Sequence, residues 1–441
     1  MGRRLRWLPV KRRRGRINIA DKNKIGRRLF MNKLKVAVFF GGQSVEHDVS
    51  VVTALQMMEN LDKNKYDIIP VYITRKGDWY TGDKLRKIEC VQGFDPADPE
   101  LTRCCLPANT RARTLYRYET KDTLFKKQQR SIANIDVAIP AMHGLHGEDG
   151  TLQGLLELAG VPYTSCGVLG SAAGMDKILM KAAFCGAGLP VLPYIYFDRS
   201  TLAADMERYL DEAEKKLTYP MFVKPANLGS SIGISKAHCR AELEKAIVVA
   251  SHYDRRILVE QGVEKLEEIN CSALGFGGDV EVSVCEMPVT WEEFLTYDEK
   301  YMRSGKQGGA KGERNDGMAA LARRIPAPIE PEQTKLIENY TAEAFRLLDC
   351  KGVVRIDYIL DKNSGQIYIN EINTIPGSFA YYLWEPKGLS YTMLLDRLIE
   401  LALRAYDEGR KNDYAYDSEI LSRYREGKTA AKSGKLGGAK A

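Results

Sequence analysis

Late in the chain, two apolar runs carry charged or amide side chains at every second position. They are Arg355-Ile356-Asp357 and Glu371-Ile372-Asn373. Between them, Asp361-Lys362-Asn363-Ser364-Gly365 is a cluster of turn residues, so the two runs predict an antiparallel hairpin. Side chains two apart on a strand share a face. Arg355, Asp357, Glu371 and Asn373 are therefore expected to point one way. A turn centred near Asn363 sets Arg355 opposite Glu371, with Asp357 diagonal to it. Three oxygen-bearing groups and a guanidinium on one face of an apolar hairpin are costly to bury without partners. Hard oxygen ligands of this kind suit Mg2+, which keeps substrate phosphates in its shell. The plainer alternative is a buried ion-pair network, but an asparagine beside two acids favours a metal.

A seat for those phosphates is found earlier in the chain. Asn227-Leu228-Gly229-Ser230-Ser231-Ile232-Gly233 directly follows Phe222-Val223-Lys224-Pro225. Glycines let backbone N–H groups approach a polyphosphate, serines add donors, and a lysine ending the preceding strand supplies a point charge. The spacing is not that of a P-loop, and an ordinary hairpin turn is the alternative. Gly41-Gly42-Gln43-Ser44-Val45-Glu46-His47-Asp48-Val49-Ser50 follows the first strand. Ligands of open α/β sheets sit at the carboxyl ends of strands. Glu46 there either caps a helix or holds a substrate ammonium, and the residues alone leave both readings open. His143 and His146, in His143-Gly144-Leu145-His146-Gly147-Glu148-Asp149-Gly150, also follow a strand; His146 is read as structural.

Around these motifs the chain alternates strands and helices. Leu34–Phe40, Ile68–Thr74 and Ile135–Pro140 read as buried parallel strands, and Val49–Leu61 and Thr151–Leu158 as helices. The expected class is α/β with an N-terminal open sheet. Gly82 to Arg130 is polar and takes no assignment. Met175–Gly186 reads as a helix stopped by Gly188 and Pro190, then Tyr219–Lys224 and Ile257–Glu260 as strands. Glu268–Phe276 and Val353–Leu360 follow as strands, and Gln333–Leu348 and Tyr391–Glu408 as helices. The expected organisation is a basic extension over 1–30, an N-terminal domain over 31–165, a central domain over 166–263, a third over 264–415, and a tail over 416–441, with extension and tail disordered.

Charge and cysteine usage narrow the function classes. The formal net charge is +7, but residues 1–30 hold twelve Lys/Arg against one Asp, so the rest of the chain is net −4. The basic charge thus belongs to an arm and not to a nucleic-acid-binding body. Met31, just before the first strand, is the expected translation start. The arm has no apolar stretch of a secretory signal, and no apolar run reaches the ~18 residues of a membrane span. The nine cysteines are scattered with no C-x-x-C pair. They read as buried thiols of a cytoplasmic protein, with neither disulfide framework nor zinc site.

Taken together and in this order, Gly41–Ser50, His143–Gly154, Met175-Asp176-Lys177, Lys224–Gly233, Arg355–Asp357 and Glu371–Gly377 resemble the D-alanine–D-alanine ligases of the ATP-grasp superfamily. The resemblance covers Lys33 to Glu408. It implies three α/β domains with ATP gripped between the second and third. It implies ligation of two D-alanine molecules through an acyl phosphate for peptidoglycan precursor synthesis, with ATP and two Mg2+ ions (Mn2+ as substitute), in a cytoplasmic homodimer that needs neither nucleic acid nor membrane. Lys177, Lys224 and Ser231 match nucleotide-phosphate groups, Glu260 and Glu268 the acids of the adenine and ribose region, and Lys300 the loop lysine that reaches the γ-phosphate. An extra residue in Glu264–Glu267 leaves Glu267 as an alternative to Glu268. Asp357, Glu371 and Asn373 match the metal ligands. Arg355 and the backbone N–H of Gly377 match the oxyanion stabilisers. Glu46 looks like the anchor of the first ammonium, with Ser230 and Tyr301 closing the site, and Thr296–Gly317 like the lid. His143, Tyr382 and Leu383 fall at the second substrate's pocket.

Tyr382 is a departure, because the family usually places a serine near it, where the second carboxylate binds. Gly305–Gly317 is also long for the family. The competing readings are a ligase using D-serine, D-lactate or another small amino acid as acceptor, a nucleic-acid-binding protein using its basic arm, and a non-catalytic nucleotide-binding relative. The last has no use for Arg355.

Overall fold

The computed structural model describes residues 33–109, 113–118, 130–289 and 323–413, together with Tyr424. The basic extension, the tail beyond 413 (Tyr424 apart), and the Thr296–Gly317 segment with Lys300 and Tyr301 lie outside the described residues.

Leu34–Gly41 (β1) buries six consecutive residues, as a parallel strand covered on both faces must. The chain continues through His47–Asn60 (α1), Tyr66–Ile73 (β2), Trp79–Thr81 (β3), Ile88–Gln92 (α2), Thr102–Cys105 (β4), Thr114–Arg117 (β5), Ser131–Asn134 (β6) and Val137–Pro140 (β7). Among the described residues these strands form one sheet in the order β6-β5-β4-β3-β2-β1-β7. β1 is parallel to β2 and β7, and β3 to β6 extend the sheet antiparallel. The described part of the stretch left unassigned after Gly82 thus supplies sheet edge, through strands too short to show a period.

Thr151–Ala159 (α3) and Val168–Met175 (α4) lead to Lys177–Gly186 (α5). The helix expected over Met175–Gly186 is broken at Asp176, which caps α5 by accepting from the N–H groups of Ile178 (3.1 Å) and Leu179 (2.8 Å). The central layer holds Tyr194–Asp198 (β8), Leu202–Lys216 (α6), Met221–Pro225 (β9), Ser235–Ala237 (β10), Arg240–Tyr253 (α7) and Arg256–Gln261 (β11). Its sheet runs β10-β9-β11-β8, antiparallel throughout. The two helices were not anticipated, although Leu202, Met206, Tyr209, Leu210 and Ala213 recur at helical spacing and pack into its core.

The third layer is built from Leu266–Phe276 (β12), Asp279–Val282 (β13), Met287–Pro288 (β14), Arg323–Arg324 (β15), Pro331–Leu347 (α8), Lys351–Asp361 (β16) and Ile367–Asn373 (β17). The sheet order is β13-β12-β16-β17. Ile269, Cys271, Val354, Ile356, Tyr358 and Ile372 face a core shared with α8 and α5, so the alternate residues face the other way. The hairpin register differs from expectation. Arg355 pairs with Asn373 and Asp357 with Glu371: the ladder next to the turn, with Leu360 opposite Ile367, is already one residue off the expected pairing, and a bulge between Asp357 and Tyr358 adds a second. The face assignment survives. A 3-10 turn, Gly377–Leu383, and Tyr391–Gly409 (α9) close the described chain; residues of α9 up to Leu403 pack against α1 and β1.

Candidate active site

Strand pairing sets two rows of polar groups across β12, β16 and β17. Asn270, Asp357 and Glu371 form one row, and Ser272, Arg355 and Asn373 the next. Arg355 donates to Asp357 through Nε (2.7 Å) and Nη2 (2.8 Å), and the Asn373 amide donates to the same carboxylate at 3.0 Å. Burial works against the Arg355 charge, but Asp357 more than offsets it and keeps the guanidinium protonated. Glu371 lies 3.5 Å from Lys177 Nζ, which also donates to the Leu228 carbonyl at 2.6 Å. The turn after β9 is thereby tied to the hairpin face. Among the described residues no three His, Cys, Asp or Glu cluster as a metal site. The hairpin's candidate set is instead two acids and an amide.

Glu46 occupies the N-cap position of α1 but makes no side-chain cap bond. Its carboxylate reaches across to accept from Ser230 Oγ. Two glycines make room for it. A Cβ on Gly144 would meet Glu46 Oε2 at 2.5 Å, and one on Gly229 would meet it at 2.8 Å. Ser230 and Ser231 adopt φ of 53° and 59°, a conformation that costs non-glycine residues about 1–3 kcal/mol each and tends to mark functional turns. Glu46, Glu148, Lys177, Ser230, Glu371 and Asn373 all line one cavity of about 40 Å3. A larger cavity, about 780 Å3, lies beside Tyr72, Arg75 and Phe94 and gathers none of the hairpin groups.

Glu148 was missed by the sequence reading. It accepts from the backbone N–H of Gly144 (3.0 Å) and of Ile375 (2.9 Å), linking the loop after β7 to the loop after β17. Burial, and then the neighbouring charge of Glu46, push its carboxyl up to about 8. His143 serves the same junction. Its Nε2 pairs with Thr53 Oγ1 at 2.9 Å and its ring also bonds the Ile375 backbone, while burial lowers it to about 4, so it is neutral. Both ring nitrogens are thus spent on protein atoms, which favours positioning over substrate contact.

The lysines form a second cluster. Lys181 and Glu260, each 1% exposed, pair at 2.8 Å, and Lys224 bonds the other Glu260 oxygen and reaches Asn370 Oδ1 at 3.1 Å. Burial would raise the Glu260 carboxyl, but Lys181 and Lys224 overcome this and hold it at about 2. Glu260 therefore holds lysines. Glu268 shares the face of Asn270 and Asp357, whereas Glu267 lies on the other face and pairs with Lys362 at 2.7 Å. Leu383 is fully buried, so only its backbone is available to a substrate. Tyr382 is buried and donates to Glu286 Oε1 at 3.2 Å. Gly377 begins the 3-10 turn, in which Ser378, Phe379 and Ala380 are left-handed. Lys181, Glu260 and Asn370 come from three elements far apart in sequence, and no local pattern in the chain announces their meeting.

Two family models match the chain: "D-ala D-ala ligase N-terminus" over residues 35–166 and "D-ala D-ala ligase C-terminus" over residues 183–400. It is 38% identical over 387 residues to the D-alanine–D-alanine ligase of Acetivibrio thermocellus, covering 86% of this chain and 98% of that one. It is 41% identical over 397 residues to that of Heliobacterium modesticaldum, covering 87% and 98%. Among solved structures it is similar to the VanG D-Ala:D-Ser ligase of Enterococcus faecalis (TM-score 0.69, 31% identity, 84% of this chain and 100% of that one). It is also similar to the D-alanine–D-alanine ligase of Coxiella burnetii (TM-score 0.68, 28% identity, 90% and 99%). The ordered motifs, the ATP-grasp architecture and these matches agree: the chain belongs to the D-alanine–D-alanine ligase family of ATP-dependent ligases.

Proposed function

We propose that this chain joins two D-alanine molecules into D-alanyl-D-alanine, through an acyl phosphate, for peptidoglycan precursor synthesis. The observation that carries the reading is the meeting of Glu46, Ser230, Lys177, Glu371 and Asn373 in one cavity. A carboxylate is a poor acyl donor. One oxygen of the first D-alanine's carboxylate attacks the γ-phosphorus of ATP and ADP leaves. The second D-alanine's amine then attacks the acyl carbon, loses its proton, and inorganic phosphate departs.

Each residue has a place in that sequence. Glu46, oriented by Ser230, takes the first ammonium. Lys177 and Lys224 meet the phosphates beside the Gly229–Ser231 turn, with Glu260 acting through the lysines and Glu268 at the ribose. Asp357, Glu371 and Asn373 offer the hard oxygens that suit two Mg2+ ions, once the Asn373 amide turns its oxygen toward them. When bound, those ions neutralise charge on the transferring phosphoryl group. Arg355 and the Gly377 N–H stabilise the oxyanion of the tetrahedral intermediate. Lys300 reaches the γ-phosphate, Tyr301 helps close the site, and the 296–317 segment excludes water. His143 holds the acceptor loop in place, and Tyr382 and the Leu383 backbone border the acceptor. Domains over 31–165, 166–263 and 264–415, cytoplasmic location and a homodimer complete the reading. Among the described residues no helix is long and apolar enough to cross a membrane.

The test is phosphate release and product identity with ATP, Mg2+ and D-alanine, alone and with L-alanine, D-serine or D-lactate. D-Alanyl-D-alanine as the main product supports the reading. A mixed dipeptide or depsipeptide as the main product replaces the acceptor, and no ATP-dependent product removes the reading.

A further inference from the structure

Ser378, Phe379 and Ala380 take φ of 50°, 54° and 49° in succession. Non-glycine residues hold a left-handed turn only where their surroundings over-determine it, and such places collect at functional sites. The strand end that lines the cavity with Glu46, through Asn373 and Thr374, runs straight into this turn. Both flanks of the turn are pinned. Before it, the Ile375 N–H donates to Glu148 at 2.9 Å. After it, Trp384 Nε1 donates to Ser272 Oγ at 3.1 Å, and Ser272 is the cross-strand neighbour of Arg355. The middle is held by α1. Ser378, 1% exposed, gives its hydroxyl hydrogen to Gln56 Oε1 at 2.7 Å, and its N–H reaches Thr53 Oγ1 at 3.4 Å. No step of the proposed reaction draws on Thr53, Gln56 or Ser378.

We propose that Gln56 and Thr53, acting through Ser378, are positioning residues that set the Gly377 N–H against the reacting carbon, with α1 as the ruler between the donor anchor and the acceptor turn. The inference rests on the ligase reading and adds what keeps its second step in line. Ser50, Thr53 and Gln56 recur every third residue, so they run along one side of the helix. Ser50 Oγ accepts from the Gly41 N–H at 2.8 Å and donates to the Ala141 carbonyl at 2.7 Å, and Thr53 bonds His143 Nε2 at 2.9 Å. The stripe thus gathers the loops after β1, β7 and β17. Ser50 and Thr53 are buried beside Val51, Ala54 and Met57 of the same helix, where apolar side chains would fill the space without needing partners. Glu46 stands at the start of this helix, and Gln56 follows it by ten residues, roughly 15 Å of rigid backbone. Attack by the acceptor needs the acyl carbon held from Glu46 and the oxyanion donor of the turn in register, and a misplacement of about 1 Å can cost about a hundredfold. A turn released from Ser378 can relax from left-handed backbone, and Gly377 moves with it.

The test is the balance of phosphate against dipeptide in wild type, Gln56→Leu, Gln56→Glu and Ser378→Gly, at saturating ATP, Mg2+ and D-alanine. A misaligned second step leaves the acyl phosphate waiting, and water then takes its acyl group. Wild type should release phosphate and dipeptide in equal amounts. Gln56→Leu keeps the bulk and loses the accepting oxygen. It should turn over about tenfold more slowly and release phosphate in about twofold or greater excess over dipeptide, with the ATP KM within about twofold. Gln56→Glu still accepts from the Ser378 hydroxyl and should keep the two products nearly equal. Ser378→Gly removes the hydroxyl while taking left-handed backbone at no steric cost, so it should show the same excess as Gln56→Leu, and it carries the test if thermal melting shows that variant unfolded. A folded Gln56→Leu or Ser378→Gly that keeps phosphate and dipeptide equal overturns the proposal, whatever its turnover, and leaves a structural contact. An excess as large in Gln56→Glu overturns it as well. Wild type that makes no dipeptide at all defeats the ligase reading instead.

Discussion

Replacing Glu260 by glutamine keeps the shape of the buried cluster and removes the carboxylate that pairs with both of its lysines. Lys181, 1% exposed, would then face Lys224 with no counter-charge. The magnitude follows from the carboxyl's own proton affinity, about 2 in the fold against an ordinary 4.5. That difference is worth roughly 3 kcal/mol of stability to the ionised form. Burial lowers Lys181, which offsets part of this gain in the intact cluster. Breaking a buried pair by deleting one partner costs about 3–5 kcal/mol, and at roughly 2–4 °C per kcal/mol the melting temperature should drop by about 6–20 °C. Bound ATP supplies an anion to Lys224, so saturating nucleotide should raise the melting temperature of Glu260→Gln more than that of wild type. The pH dependence has a definite sign. A depressed carboxyl contributes stability above its unfolded value of 4.5 and loses it as pH falls through about 2. The gap between wild type and variant should be constant from about pH 5 upward and shrink below about pH 4. A gap under about 2 °C at pH 7, with equal nucleotide responses, would refute the reasoning.

Asp357→Asn or Glu371→Gln should cut turnover about a thousandfold or more; Glu371→Gln, at a side chain about a third exposed, should leave the melting temperature little changed, whereas Asp357→Asn also removes the anion that offsets burial of Arg355 and should melt lower, and near-normal rates remove the metal assignment. Arg355→Ala should slow turnover about a hundredfold or more, as loss of an oxyanion donor does, with the ATP dissociation constant within about threefold; weakened ATP binding at unchanged turnover contradicts the role. The Glu148 carboxyl is raised to about 8, so the folded chain binds more protons than the unfolded one between about 4.5 and 8, and this group makes stability fall as pH rises through that range. Glu148→Gln stays neutral and should lose that share of the alkaline decline; parallel melting profiles from pH 6 to 9 would count against it.

How much the residues announce in advance depends on whether the pattern is local. The hairpin face was legible because side chains alternate with period two, and a shift of two in register leaves that parity intact. The register itself was not, since the bulge after Asp357 leaves no mark in composition. Glu46 stood between two roles until Gly144 and Gly229 were seen to frame its carboxylate, a tertiary fact. The Glu260–Lys181–Lys224 cluster joins α5, β9 and β11, and Glu286, Arg323 and Tyr382 join β12's neighbours to the turn after β17. Such meetings are products of packing. The helices at Leu202–Lys216 and Arg240–Tyr253, in contrast, carry helical periodicity that is local and readable in the chain.

The most direct measurement follows oxygen. D-Alanine labelled with 18O in its carboxylate is turned over with unlabelled ATP, and the inorganic phosphate released is weighed by mass spectrometry. Activation as an acyl phosphate moves one carboxylate oxygen into phosphate at each turnover, so one 18O per phosphate is predicted. Dipeptide formed alongside phosphate that carries no label would contradict the account.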